Sequence, residues 1–261
     1  MSAGTSSAPG GLAPRPGAAA RPRVLLMQAR AEVVSTLRNG EQLLLTLVIP
    51  LVLLVGLSHL PPDVAGHDPA IDVVAPGILA LAVISTAFTG QAIATGFERR
   101  YGVLKLLGAT PLGRSGLLVA KTLGVVVVEA VQVLLVAGVA YALGWHPVGS
   151  WPAAVVLLLL GTAAFSSLGL LVAGTLRAEA TLAVANGIYL LLLAVGGVVI
   201  PASRLPGAFA TLVSLLPSAA LGQGLRDVLL DGQAFPVGPA VVLVVWAVVG
   251  GVLTSRTFRW S

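Results

Sequence analysis

Between residues 153 and 200 the chain runs for 48 positions with only two charged side chains, Arg177 and Glu179. One bilayer crossing takes about 20 apolar residues, because the hydrocarbon layer is about 30 Å thick and a helix rises about 1.5 Å per residue. A stretch this long therefore predicts two crossings, and the cost of charge at mid-membrane places the turn between them at Arg177-Ala178-Glu179. Comparable apolar stretches at 43–60, 73–96, 117–143 and 236–255 join those at 153–176 and 180–200, so the sequence predicts six transmembrane helices. Uninterrupted apolar runs of this length satisfy their backbone groups in hydrocarbon only as helices, which predicts an all-α polytopic membrane protein. Charged residues make up 10% of the chain and its mean hydropathy is +0.99, whereas soluble domains carry charge at about a quarter of positions.

The chain divides by composition. Residues 1–22 mix Ser, Ala, Gly and Pro with Arg15 and Arg21 and show no apolar period, which predicts a disordered tail without the apolar core of a cleaved signal. Over 23–42, Met27 and Val34 recur at a spacing of seven, with Leu26, Val33 and Leu37 beside them. Arg30, Glu32, Arg38 and Glu41 lie mostly elsewhere around the wheel, as in an amphipathic helix lying at the membrane interface. The six-helix domain is expected over 43–258, and Pro206 and Pro217 cut its 201–235 portion into apolar pieces too short to span.

Thirteen Lys and Arg residues fall on one predicted face and two, Arg204 and Arg226, on the other. Cytoplasmic connections carry this excess, so both termini and the loop bearing Arg99 and Arg100 are expected in the cytoplasm of a cell with the protein in its plasma or inner membrane. The net charge of +5 thus reads as topology rather than as a nucleic-acid surface, and no nucleic-acid partner is expected. Without cysteine, and with three histidines outside the predicted spans, the chain lacks the residues of a thiol nucleophile or thiolate metal site. His59, Asp63, His67, Asp68 and Asp72 crowd the first outer loop, but prolines interrupt them and they read as ordinary loop polarity. No catalytic, cofactor-binding or metal site is expected.

Two segments carry most of the functional signal. Residues 97–116, FERRYGVLKLLGATPLGRSG, form the one substantial basic connection between predicted spans, with a short helix between Gly102 and Gly108 and a stop at Thr110-Pro111. The string Glu98, Arg99, Arg100, Gly102, Leu104, Leu107, Thr110, Pro111, followed by Lys121, resembles the permease subunits of ABC-2 type transporters at this position. The spacing of Pro206, Pro217 and Arg226 resembles the same family's extracytoplasmic re-entrant hairpin before the last span. Arg38-Asn39-Gly40-Glu41 followed by Pro50 is similar to its amphipathic helix and proline-bearing first span.

The resemblance implies a membrane subunit of an ATP-driven exporter, with 98–111 as a coupling helix seated in a cleft of the ATPase. It further implies that one chain makes half a translocation path, completed by a second permease copy or paralogue, with membrane lipid around it. The sequence has no G-x-x-x-x-G-K-[ST] loop, so it cannot cradle ATP through a P-loop. ATP and Mg²⁺ are expected on the partner subunit. Apolar cargo, such as a drug or hydrophobic antibiotic, suits the low aromatic and polar content better than a glycan. An ion-coupled carrier or a non-transport structural membrane protein remains the alternative, although no internal repeat supports the former.

Within the spans, Gln91 and Asn186 lie about five and six residues from the predicted cytoplasmic ends and Glu129 about seven residues past the Lys121-Thr122 pair, roughly 8 to 11 Å from those points, with Gln132 a turn beyond Glu129. A polar belt at this depth serves either as an interhelical clasp or as a cargo contact. Gly90 with Ala94 and Gly169 with Ala173 are small pairs four apart that let helices approach closely.

Overall fold

The computed structural model describes residues 21–40, 44–62, 67–108, 113–198 and 207–258. Every regular element among them is helical. Helix α1 (Arg21–Arg38) precedes α2, which opens with a π-helical turn at Leu44–Val48 and continues as Ile49–Leu57. Then follow α3 (Ile71–Arg100), α4 (Val103–Gly108), α5 (Gly113–Ala142), α6 (Trp151–Thr175), α7 (Ala178–Val195), α8 (Gly207–Ser214), α9 (Pro217–Leu229) and α10 (Val237–Thr257).

Five of these helices, α3, α5, α6, α7 and α10, are long and apolar enough to cross a membrane. Their bounds follow the expected spans to within a few residues, and the turn between α6 and α7 falls where Leu176 and Arg177 leave the helical conformation. The expected first span over 43–60 is different. Its apolar described part, Thr46–Leu57, rises only about 18 Å at about 1.5 Å per residue, and Pro61 and Pro62 follow its last turn. The described residues thus carry five helices of spanning length where the sequence predicts six.

Helix α3 is the buried axis of the bundle, and α5, α6, α7, α9 and α2 pack around it. Leu134, Leu190 and Val248, on the outer helices, are exposed large apolar residues, as lipid-facing positions require. Glycines set the closest approaches. A methyl group at Gly169 would lie 2.8 Å from the Phe88 carbonyl oxygen, so this small residue seats α6 on α3 inside the bundle. Gly250 does the same for α10, where Thr254 Oγ1 donates to the Ser167 carbonyl at 2.9 Å.

The helices alternate in direction, and their contacts define two ends. At one end the α6–α7 turn, the end of α3, the start of α5, α1 and Phe258 come together. At the other lie the start of α3, the end of α7, the α5–α6 connection and α9. The first end gathers the basic residues of α1, Arg99, Arg100, Lys121 and Arg177, and the second holds Arg226.

Candidate functional site

At the basic end, the three consecutive charges that close α3 each take a different partner. Lys121 Nζ, only 3% exposed, lies 2.6 Å from Glu98 Oε2 and 3.0 Å from Glu32 Oε2, so one ammonium on α5 joins the end of α3 to α1. Gln28 Nε2 donates to Glu32 Oε1 at 2.9 Å and holds that carboxylate in place. Gly124, a turn along α5, makes room: a methyl group there would stand 2.8 Å from Glu32 Cβ. Arg99 Nη2 donates to the Leu176 carbonyl and Arg100 pairs with Glu179, so both arginines reach the α6–α7 turn. The amphipathic helix therefore turns Glu32 toward the protein while Leu26, Met27, Val34 and Leu37 stay exposed.

Just beyond this knot, Gly102 turns the chain with φ +75°, in the left-handed region where a side chain is strained. Helix α4 starts there. Leu104 is buried against the bundle, and Leu107 is half-buried, while Tyr101 and Leu106 are 71% and 75% exposed on either side of Lys105. Thr110 and Pro111, the expected end of this segment, lie outside the described residues.

Next to the knot, a cleft of about 560 Å³ opens between α2, α3 and α7. Asn39 and Phe97 line it together with Thr46, Ser85, Thr89, Asn186 and Tyr189. The wall from α3 is irregular: its helix widens into a π turn over Ile84–Gly90, and such turns mark sites where a helix departs from regular packing. Ser85 Oγ donates to the Ala82 carbonyl at 2.9 Å, but Thr89 Oγ1 and Tyr189 OH are buried with no hydrogen-bond partner.

The polar residues expected at one depth face different surroundings. Asn186 lines the cleft. Gln132 accepts from Thr86 Oγ1 at 2.6 Å and donates to the Thr46 carbonyl, fastening α5 to α3 and α2. Gln91 sits in a separate small polar cavity of about 30 Å³ beside Thr95 and Lys121, and neither of its amide atoms has a partner. Glu129 meets Thr162 of α6, whose Oγ1 lies 2.6 and 2.8 Å from its two carboxylate oxygens. Glu129 thus touches neither Gln91 nor Asn186. The facing of a residue depends on which neighbour its helix packs against. Thr162, Thr89 and Tyr189 carried no signal in the sequence, since hydroxyls are common in membrane helices.

At the opposite end, the buried Arg226 of α9 donates through Nη1 to the Gly197 carbonyl at 3.1 Å, through Nε to Val73 at 3.4 Å, and through Nη2 to Val198. It binds the Gly197 and Val198 carbonyls just past the end of α7, beyond that helix's own ladder, and also the Val73 carbonyl in the first turn of α3. Gly77 permits the approach, because a methyl group there would come 2.3 Å from the Val198 oxygen. Pro217 opens α9 at its first turn, where a missing N–H costs nothing, and Pro206 lies outside the described residues.

The family model for the ABC-2 type transporter matches residues 24–230, well over half of the chain. The chain belongs to the ABC-2 type transporter family. It is therefore a permease component of an ABC transporter and a multi-pass membrane protein. ABC-2 permeases have no ATPase of their own and generally pair with an ATPase subunit. The match runs from α1 to α9 and includes the Glu98 to Arg100 knot, the cleft and Arg226; α10 follows it. No curated protein matches the chain at a significant level.

Proposed function

We propose that this ABC-2 permease is the membrane half of an exporter, coupled to a separate ATPase through the segment from Glu98 to Pro111 and carrying cargo along the cleft between α2, α3 and α7. The observation that carries this reading is the pairing of an exposed apolar helix with a charge knot. Tyr101 and Leu106 stay in water at the tip of the bundle, where apolar side chains around a lysine offer a docking surface. Behind them the three charges of α3 lead to three other elements: Lys121 to α5 and α1, and both arginines to the α6–α7 turn. A displacement of α4 by a partner thus reaches four helices at once.

The basic end faces the cytoplasm of a cell-membrane protein, as the excess of Arg and Lys there supports. The α8–α9 hairpin lies at the outer face as a re-entrant element, and two copies of the chain, or this chain and a paralogue, complete the path. ATP and Mg²⁺ bind the partner.

Leu106→Glu tests the docking directly, since the residue is exposed and its change leaves the bundle intact. The wild-type chain is expected to co-purify with a P-loop ATPase subunit and to support ATP-dependent transport in liposomes. Leu106→Glu should lose both while eluting as a folded protein. Equal co-purification of the variant, or transport driven by an ion gradient without any ATPase, overturns the reading.

A further inference from the structure

The cleft also has a chemistry of its own, and we infer that it selects neutral amphipathic molecules that offer a hydrogen-bonding group on an apolar body. This inference rests on the cleft being the cargo path proposed above. Among the described residues that line it none is ionised. A charged ligand entering it would lose its hydration without meeting a counter-charge, a loss that costs several kcal/mol per ion. Of the charges on the neighbouring helices, Lys121 is paired with Glu32 and Glu98, and Arg100 with Glu179.

Size and apolarity alone would admit any greasy molecule. Two hydroxyls narrow the choice. Thr89 and Tyr189 face the cleft from α3 and α7 at 6% and 7% exposure, and neither oxygen has a hydrogen-bond partner. A helical threonine ordinarily donates to a carbonyl one turn back, as Thr162 does to Leu158 at 2.8 Å. Thr89, at the end of the π turn, does not. Buried hydroxyls without partners are costly, and each can both donate and accept. A ligand that brings an ether, carbonyl or hydroxyl between them recovers these bonds, and its apolar body lies along Ile49, Ile93 and Leu190.

Three probes of similar bulk separate the possibilities: triphenylphosphine oxide, neutral with one strong acceptor; tetraphenylphosphonium, a cation; and tetraphenylborate, an anion. Binding is measured on the full chain in lipid nanodiscs, with empty nanodiscs subtracting partition into lipid. The neutral probe should saturate, and both ions should bind at least tenfold more weakly. Thr89→Val and Tyr189→Phe remove one hydroxyl each at nearly constant shape and should each weaken the neutral probe about fivefold, whereas Thr89→Ser should keep wild-type affinity. Either ion binding as tightly as the oxide, an unsaturable neutral probe, or wild-type affinity in both hydroxyl-deleted variants overturns the inference. This assay needs no ATPase, so its failure with Leu106→Glu still blocking co-purification removes the cargo class alone. Correct selectivity with no ATPase association supports the cleft's chemistry and removes the coupled-exporter reading.

Discussion

The two ends of the bundle are held together by opposite means. At the basic end, long side chains reach across open ground: Lys121 to two carboxylates, Arg100 to Glu179, and Arg99 to a single carbonyl. At the Arg226 end, backbone touches backbone with nothing to spare, through Gly77 against Val198 and Gly149, whose methyl group would stand 1.6 Å from the Val228 oxygen. An exposed ion pair such as Arg100–Glu179 can exchange partners at little cost, while close-packed backbone cannot slide without clashing. Under the coupling proposed above, the contrast would make the basic end the moving end and the Arg226 end the fixed one.

The largest effect is expected at the fixed end. Arg226→Ala would strand the carbonyls of Gly197 and Val198 in a buried site and release its bond to Val73, for a loss of about 3 kcal/mol read as a fall in melting temperature in detergent. An unchanged melting temperature would mean that this end is not locked by the arginine. Gly77→Ala comes next, since its methyl group meets a carbonyl that cannot yield; overpacking of this kind costs about 2 kcal/mol.

At the moving end the effect on stability is no greater than this and the effect on function larger. Lys121→Met leaves Glu32 and Glu98 without their shared cation, and about 2 kcal/mol of destabilisation is expected, less than for a fully buried pair because both carboxylates keep some contact with water, with ATP-driven transport reduced several-fold. Adding Glu32→Gln and Glu98→Gln should restore the melting temperature but not the transport. Recovery of both would reduce the knot to a structural clasp.

The smallest effect is forecast midway between the ends, where Glu129 meets Thr162. Glu129→Gln keeps a hydrogen-bonding group facing the threonine and should change stability by less than about 0.5 kcal/mol, while Glu129→Leu should cost about 1 to 2 kcal/mol. Transport by Glu129→Gln at the wild-type rate is expected; its loss at an unchanged melting temperature would make the carboxylate part of the path.

Much of this fold is legible in the sequence because lipid imposes a simple rule on length. Five spans follow from apolar runs, and Arg177 and Glu179 mark a turn that no other feature indicates. The short α2 escaped that rule, since the apolar run over 43–60 does not reveal the π turn at its start. The charges of Glu98, Arg99 and Arg100 are visible as a cluster, but the partners they take, Lys121, Leu176 and Glu179, lie 23, 77 and 79 positions away along the chain. Helix numbering does not give azimuth, which is why Gln91, Glu129, Gln132 and Asn186, expected together as one polar belt, face separate surroundings. The cleft's defining hydroxyls depend on a local widening of α3 that composition does not signal.

The moving and fixed ends can be compared directly by spin-label distances, because the chain has no cysteine of its own. One pair joins Lys105 to Arg177 at the basic end, and a second joins His146 to Asp231 at the other. Measured in the complex with its ATPase in nanodiscs, the first distance should change between the nucleotide-free and ATP-trapped states while the second stays constant. A constant first distance, or a second that shifts as much as the first, would contradict the division of the bundle into a moving and a fixed end.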